Sequence, residues 1–539
     1  MKSRIMAAAA GAATVTTAVT ALSIPHTVEG NGYLSVPVNT VRSDLDGLTK
    51  RDAFEVLINN RQFYYSMDLM IGTPGQKVTV LLDTGSSELW VNPDCSKAPS
   101  ASQARQCNSY GQYTSRNSRT PPSGPFGGRK LNYGDPSQPA TQTSAEISYY
   151  SDNVALGSGV VLNQTFGVVT RSDGISTGIL GLAPDLKSGF APGKPYSLIL
   201  NSLADQGKIN SRVFSLDLRH SGAENGAIIF GGVDTGKYIG RLEQRPIING
   251  AKGEPRLAVD LGGVSLHIAN SQPKAYTLGP EDKNVMLDSG TTLTRLHESI
   301  ARPILNDLNA KTDSNGYWIT DCSLRTPPLT NGGADSYINF QFGRKTIRVP
   351  LSDFILDLGP RSGQCYVGIV ITTDQQILGD SVLRAGYFVF DWDNQAVHIA
   401  QAATCGKEQI VTAGKGAGAI PATALGLCEG PSGDSDSSDE DQVSPPSPSA
   451  IEPATTALNL APSEPPSSFT PPVSIATPAS ASATEFTKTL TPSQTSSPGF
   501  PGSSSSDTHS AAFSWMTQSR HLNLLLGGLM TLTAAFWAI

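Results

Sequence analysis

Two short runs set an aspartate, a hydroxyl residue and a glycine in the same order: Asp83-Thr84-Gly85 and Asp288-Ser289-Gly290. Each follows an apolar stretch, Val80-Leu81-Leu82 or Val285-Met286-Leu287, and each continues with two more hydroxyls, Ser86-Ser87 or Thr291-Thr292. Gly85 and Gly290 let the chain turn sharply, so that a carboxylate projects from a tight loop. Ser86 and Thr291 are placed to hydrogen-bond the aspartate of their own loop and hold its orientation. Two carboxylates a few Å apart cannot both ionise easily, so one proton is shared and a water between them can be activated. That chemistry suits hydrolysis of a peptide bond in acid.

Each loop needs its own platform. At 539 residues the chain exceeds what one hydrophobic core supports, so Asp83 and Asp288 are predicted to sit at the centres of separate lobes. Short Val/Ile/Thr/Tyr/Phe runs broken by Gly, Pro, Asn and Asp, as in 59–71, 77–82 and 386–391, predict an all-β architecture. Gly178-Ile179-Leu180-Gly181-Leu182 and Gln376-Ile377-Leu378-Gly379-Asp380 follow the two loops at similar distances. Each reads as a support passing beneath its aspartate.

Other classes are excluded. A net charge of −7 without a basic, aromatic-studded stripe argues against nucleic-acid binding. The histidines form no HExxH and pair with no motif serine, and no cysteine spacing suits a metal, so no metal or cofactor is expected. Gly72-Thr73-Pro74-Gly75 lacks the Lys-Ser/Thr of a phosphate loop, and Asp380 and Asp391 read as structural turn carboxylates.

From 63 to 402 the chain resembles the pepsin-like aspartic proteases, through Met70-Ile71-Gly72-Thr73-Pro74, Asp83-Thr84-Gly85-Ser86-Ser87 with Trp90, the two Ile-Leu-Gly supports, Asp288-Ser289-Gly290-Thr291-Thr292, and Phe388-Val389-Phe390-Asp391. The resemblance implies an all-β bilobal fold with the active-site cleft between two related lobes, 52–236 and 237–405, and Asp83 and Asp288 facing each other across one water. It puts the substrate-covering flap at Glu146 to Asn153, with Tyr149 as the flap tyrosine bonding the Trp90 indole, although Tyr150 and Asp152 stand where relatives carry glycines. An Asp152 on the flap would attract Lys or Arg near the scissile bond; an Asp in a hairpin turn is the plainer alternative. The implied function is an aspartic endopeptidase acting on peptides and proteins as a monomer. The rival reading is a catalytically inactive binding or wall-structural module with the same fold.

The remaining chain reads as targeting and tethering. Residues 1–21 have the basic start, weakly apolar run and small-residue end of a signal peptide, and 22–51 reads as a pro-peptide ending at Lys50-Arg51. The Ser/Thr/Pro-rich stretch 406–510 reads as a disordered stalk. Small residues at 510–512, a polar spacer and an apolar tail make 511–539 a GPI-attachment signal, with Ser510, or a residue within 502–506, as the attachment point. With dibasic site and stalk, these signals look like the fungal yapsin-like branch, at the outer face of the plasma membrane or bound to cell-wall glucan. Asn163 heads the sole N-glycosylation sequon. Proximity suggests disulfides Cys95–Cys107 and Cys322–Cys365, leaving Cys405 and Cys428 to pair or stay free. The basic, Ser/Gly/Pro-rich stretch 98–142 reads as an exposed insertion open to cleavage.

Overall fold

The computed structural model describes most of residues 65–430, together with 28–30, 32–40 and 509–510. The expected signal peptide, the dibasic site, most of the stalk and the apolar tail lie outside the described residues.

The chain builds strands wherever β-branched and aromatic residues alternate. Strand β1 (Tyr33–Thr40) lies between β10 (Asn225–Phe230) and β2 (Tyr65–Ile71) in one extended sheet. Its Leu34, Val36 and Val38 are buried. The segment predicted as a pro-peptide therefore fills an internal position in the sheet. β10 pairs with β9 (Val213–Asp217), which pairs with β16 (Gly386–Asp391), and β16 with β17 (Ala396–Gln401). Residues from both halves of the chain thus share this sheet.

In the first lobe, β3 (Gln76–Asp83) runs antiparallel to β2 and parallel to β8 (Gly178–Gly181), which in turn is antiparallel to β4 (Leu89–Val91). The second lobe repeats the pattern. There β13 (Asn284–Leu287) runs parallel to β15 (Gln376–Leu378), which pairs antiparallel with β14 (Thr294–Leu296). In both lobes the strand delivering the aspartate is internal and its apolar side chains are buried, which explains the near-continuous hydrophobic runs. Alongside β13 lies β12 (Ala258–Asp260).

The stretch 98–142 is more ordered than its composition suggests. Ser100 caps helix α1 (Ala101–Ser109), accepting from the Gln103 N–H at 3.2 Å. The Cys95–Cys107 disulfide pins that helix to the strand layer. Further on, β5 (Gly128–Tyr133) pairs with the long β6 (Thr143–Leu156), itself paired with β7 (Gly159–Asp173). The exposed-insertion reading is corrected accordingly: Gln103, Cys107, Tyr113, Leu131 and Tyr133 are buried. Cys322–Cys365 and Cys405–Cys428 are also bonded. The latter closes a strap in which Ile410–Thr412 pairs with β11 (Gly232–Asp234) and Ala413, Ala419 and Ala424 are buried, which corrects the reading of a disordered stalk from 406. His509–Ser510 forms a two-residue parallel bridge to β5.

Candidate active site

Asp83 ends β3 and Asp288 follows β13, and both carboxylates are fully buried. Each loop closes on its own aspartate in the same way. The Gly85 N–H donates to Asp83 Oδ1 at 2.8 Å, and the Gly290 N–H donates to Asp288 Oδ1 at 2.8 Å. The Ser86 hydroxyl donates to Asp83 Oδ2, and the Thr291 hydroxyl donates to Asp288 Oδ2 at 2.7 Å. One oxygen of each carboxylate is thus held by backbone and the other by a hydroxyl.

The residue between Asp and Gly joins the lobes. Thr84 Oγ1 donates to the Leu287 carbonyl at 2.7 Å, and Ser289 Oγ donates to the Leu82 carbonyl at 2.9 Å. The Ser289 N–H also donates to Thr84 Oγ1 at 2.9 Å. This reciprocal grip sits beneath the two aspartates. A Cβ built on Gly85 would come within 2.7 Å of both Asp288 carboxylate oxygens, so the first loop must be bare of side chain where the second carboxylate approaches.

The predicted supports lie where the two Ile-Leu-Gly runs place them. Leu182 N–H donates to the Asp83 carbonyl at 2.8 Å, while Asp380 N–H donates to the Thr291 carbonyl at 2.8 Å. Gly181 and Gly379 allow this: a Cβ on either would meet backbone atoms at 2.4 Å and 2.3 Å. Burial, reinforced by the Asp288 charge, holds the Asp83 carboxyl well above the usual carboxylate range, against the opposing hydrogen bonds from Ser86 and Gly85. At acid pH the pair therefore retains a proton, leaving one carboxylate to take a proton from water and one carboxylic acid to donate to a carbonyl oxygen.

Behind Asp288 lies a second buried carboxylate, Asp380, at the start of the short helix Asp380–Leu383. Burial raises its pKa well above normal; the Arg384 guanidinium opposes this and the Asp288 charge adds to it. Asp380 thus opens a buried helix instead of lying in a turn.

The flap reading is corrected. Tyr149 lies in the middle of β6 with ladder partners beside it, and its hydroxyl donates to Glu88 Oε1 at 2.8 Å, not to Trp90. Its ring packs 5.4 Å from Tyr196. Trp90 Nε1 instead donates to the Tyr133 hydroxyl at 2.6 Å, with the rings 6.1 Å apart. Tyr133 is the last residue of β5, and it feels the Asp83 charge. Tyr133-Gly134 carries the glycine that is missing after Tyr149. That was the signal available in the sequence.

Asp152 is corrected too. It is 1 % exposed, accepts from the Tyr113 hydroxyl at 2.9 Å and takes its neighbour's N–H at 2.8 Å. A carboxylate committed to Tyr113 inside the lobe cannot recognise a basic substrate side chain. Sequence reasoning also missed Glu88, which is buried and accepts from both Tyr149 and Arg129, the latter at 3.1 Å. This acid–base pair ties β5 and β6 to the segment following the Asp83 loop. Among the described residues no group of His, Cys, Asp and Glu is arranged to hold a metal. The sequon residue Asn163 is exposed on β7.

The two tyrosines separate in a paired test. Tyr133→Phe leaves the buried indole N–H of Trp90 without its acceptor, and kcat/KM should fall about tenfold. Tyr149→Phe should lower thermal stability by about 1–2 kcal/mol while keeping kcat/KM within about twofold of wild type. Equal kinetic losses in the two variants would return the flap role to Tyr149.

A profile of the family described as eukaryotic aspartyl protease matches residues 64–402. The chain is 34 % identical to Secreted aspartic protease 1 of Candida albicans over 384 residues, covering 68 % of this chain and 88 % of the relative. It is 33 % identical to Aspartic proteinase 3 of Saccharomyces cerevisiae, covering 66 % of this chain and 73 % of that protein. The crystal structure of the aspartic proteinase from Irpex lacteus superposes with a TM-score of 0.50 at 20 % identity, covering 69 % of this chain and 98 % of the other. That likeness speaks to the bilobal fold alone.

Proposed function

Because this chain belongs to the eukaryotic aspartyl protease family and is an aspartic endopeptidase, we propose that Asp83 and Asp288 are its catalytic pair and that it works at the cell surface. The observation that carries the first part is the matched clasp on each buried carboxylate, joined by the Thr84–Ser289 grip. A peptide bound over the pair meets a water held between one carboxylate and one carboxylic acid. The carboxylate removes a proton as the water attacks the scissile carbon, and the acid protonates the carbonyl oxygen. The resulting diol collapses with proton transfer to the leaving amine, so no acyl-enzyme forms. Ser86 and Thr291 fix which oxygen of each carboxyl faces the water. Trp90 and Tyr133 support the hairpin that covers it.

Secretion is supported by the leader-like residues 1–21 and by the name of the Candida albicans relative, a secreted aspartic protease. Lys50-Arg51 is the proposed maturation site, and the small-residue run around Ser510 with the apolar tail supports a GPI anchor, held in membrane or passed to wall glucan. A preference for Lys or Arg near the scissile bond loses its proposed carrier, since Asp152 is inside the lobe.

One experiment tests the reading. Cells displaying the full chain are treated with phosphatidylinositol-specific phospholipase C, and the released protein is assayed on peptides from about pH 3 to about pH 7 with and without pepstatin. Release together with pepstatin-sensitive cleavage, strongest in acid, is the expected result. Active protein freed neither by the phospholipase nor by a following glucanase digestion would remove the anchor, and freed protein without such cleavage would remove the dyad.

A further inference from the structure

Arg256 is buried at 7 % exposure immediately ahead of β12. The next residue, Leu257, accepts from the Leu287 N–H at 2.9 Å, which puts Arg256 beside the strand that delivers Asp288. Its guanidinium nevertheless reaches the other lobe: Nη1 donates to the Gly85 carbonyl at 3.1 Å. Gly85 is the residue whose N–H holds Asp83 and whose α-carbon abuts the Asp288 carboxylate. On its other side the guanidinium meets Glu254, with Nε 3.4 Å from Oε1, and that carboxylate is 30 % exposed.

We propose that Arg256 is a positioning residue for the aspartate pair, tethering the Gly85 carbonyl across the cleft floor and supplying a fixed positive charge beside both carboxylates. This rests on the reading of Asp83 and Asp288 as catalytic. A hydrogen bond to one carbonyl needs only a neutral donor, and burying a guanidinium is costly unless its charge is offset. Glu254 meets the guanidinium on its partly solvated side, and the Gly85 carbonyl meets it on the side of the pair. The other charged groups around the site are Asp380 with Arg384 behind Asp288, and Glu88 with Arg129 on the side of β5. Lys252, near Arg256 in the sequence, is paired with Asp374 at 2.8 Å and strongly exposed, so it is screened. Tyr133 is neutral in the working range, since burial raises its pKa well above normal. Among these, Arg256 is the cation that touches the Asp83 loop itself.

The charge and the tether make separable predictions. A positive charge beside the pair eases loss of its first proton, so the catalytically competent singly charged form appears at lower pH. In full-length protein, Arg256→Gln keeps a donor but loses the charge. Its kcat should fall about tenfold with KM within about twofold, and the acid limb of kcat/KM should move up by about half a pH unit or more. Arg256→Lys should keep the acid limb at its wild-type position. If Arg256→Gln does not fold, Glu254→Gln provides the opposite perturbation: the uncompensated guanidinium should move the acid limb to lower pH.

An Arg256→Gln profile that superimposes on wild type, an Arg256→Lys limb displaced like that of Arg256→Gln, or an unmoved limb in Glu254→Gln would each overturn the proposal while leaving the aspartate pair intact. Wild-type protein without pepstatin-sensitive cleavage would overturn both.

Discussion

Asp83→Asn should abolish peptide cleavage, with kcat lower by at least about 10³-fold, while the protein stays folded. The amide is isosteric with the carboxyl: its oxygen keeps the Gly85 N–H contact, and its NH2 donates to the Ser86 hydroxyl, which turns to accept. What it cannot do is exchange a proton. Asp288→Asn should cost a similar factor, and the double variant little more than either single one, because the two carboxyls act as one unit. The measurement is single-turnover cleavage of a peptide at the acid optimum, alongside thermal melting to show that the fold persists. Residual cleavage within about tenfold of wild type in either variant would mean that water is activated elsewhere. Pepstatin binding should weaken in parallel, since the same two groups meet the inhibitor.

The second large effect is on stability and depends on pH. Asp83 and Asp380 both have folded-state pKa values raised by burial well above their unfolded values. A carboxyl raised in this way holds its proton more tightly when folded, so its stabilising contribution is complete below the unfolded value, near about 4, and is lost as pH rises towards the folded value. Above that, each buried group must either ionise against its desolvation or open the structure. The thermal midpoint should therefore be highest in acid and decline steadily towards neutral pH. Asp380→Asn removes one ionising group without changing shape and should flatten the decline, raising the midpoint near pH 7 relative to wild type. The guanidinium of Arg384 works against the gain, since it favours the ionised carboxylate. Melting curves at several pH values decide the matter. A variant whose decline parallels that of wild type would place the pH sensitivity elsewhere.

The two aspartate loops were legible because their geometry is local. Asp, hydroxyl, Gly and hydroxyl dictate a turn that clasps its own carboxylate, and the apolar runs ahead of Asp83 and Asp288 dictate internal strands. Their duplication signalled two lobes. The Ile-Leu-Gly supports were legible for the same reason, since a glycine flanked by apolar residues marks a close backbone crossing, as Gly181 and Gly379 make.

The flap was harder. Tyr133 and Tyr149 both occupy strand-like alternating stretches, and the choice between them depends on where the hairpin turns. That is decided by how β5 pairs with β6 across a long connection. Composition argued for a loop in 98–142, yet a serine cap and a disulfide were enough to order a helix of low hydrophobicity there. Contacts made only by docking the lobes left no trace in the sequence. Thr84 read as part of a motif, not as a bond to Leu287, and Arg256 is a single arginine following a Gly-rich turn.

Strand β1 gives the proposed maturation site a consequence of its own. A cut between Lys50-Arg51 and Asp52 would sever the backbone but would leave the upstream peptide held by two ladders of hydrogen bonds, with Leu34, Val36 and Val38 inserted into the core. Its departure would expose both flanking strands and remove material that the folding chain had used. A mature enzyme that lost this peptide would no longer carry its complete folding instructions. Its survival outside the cell would then be measured by how slowly it opens, not by how readily it re-forms.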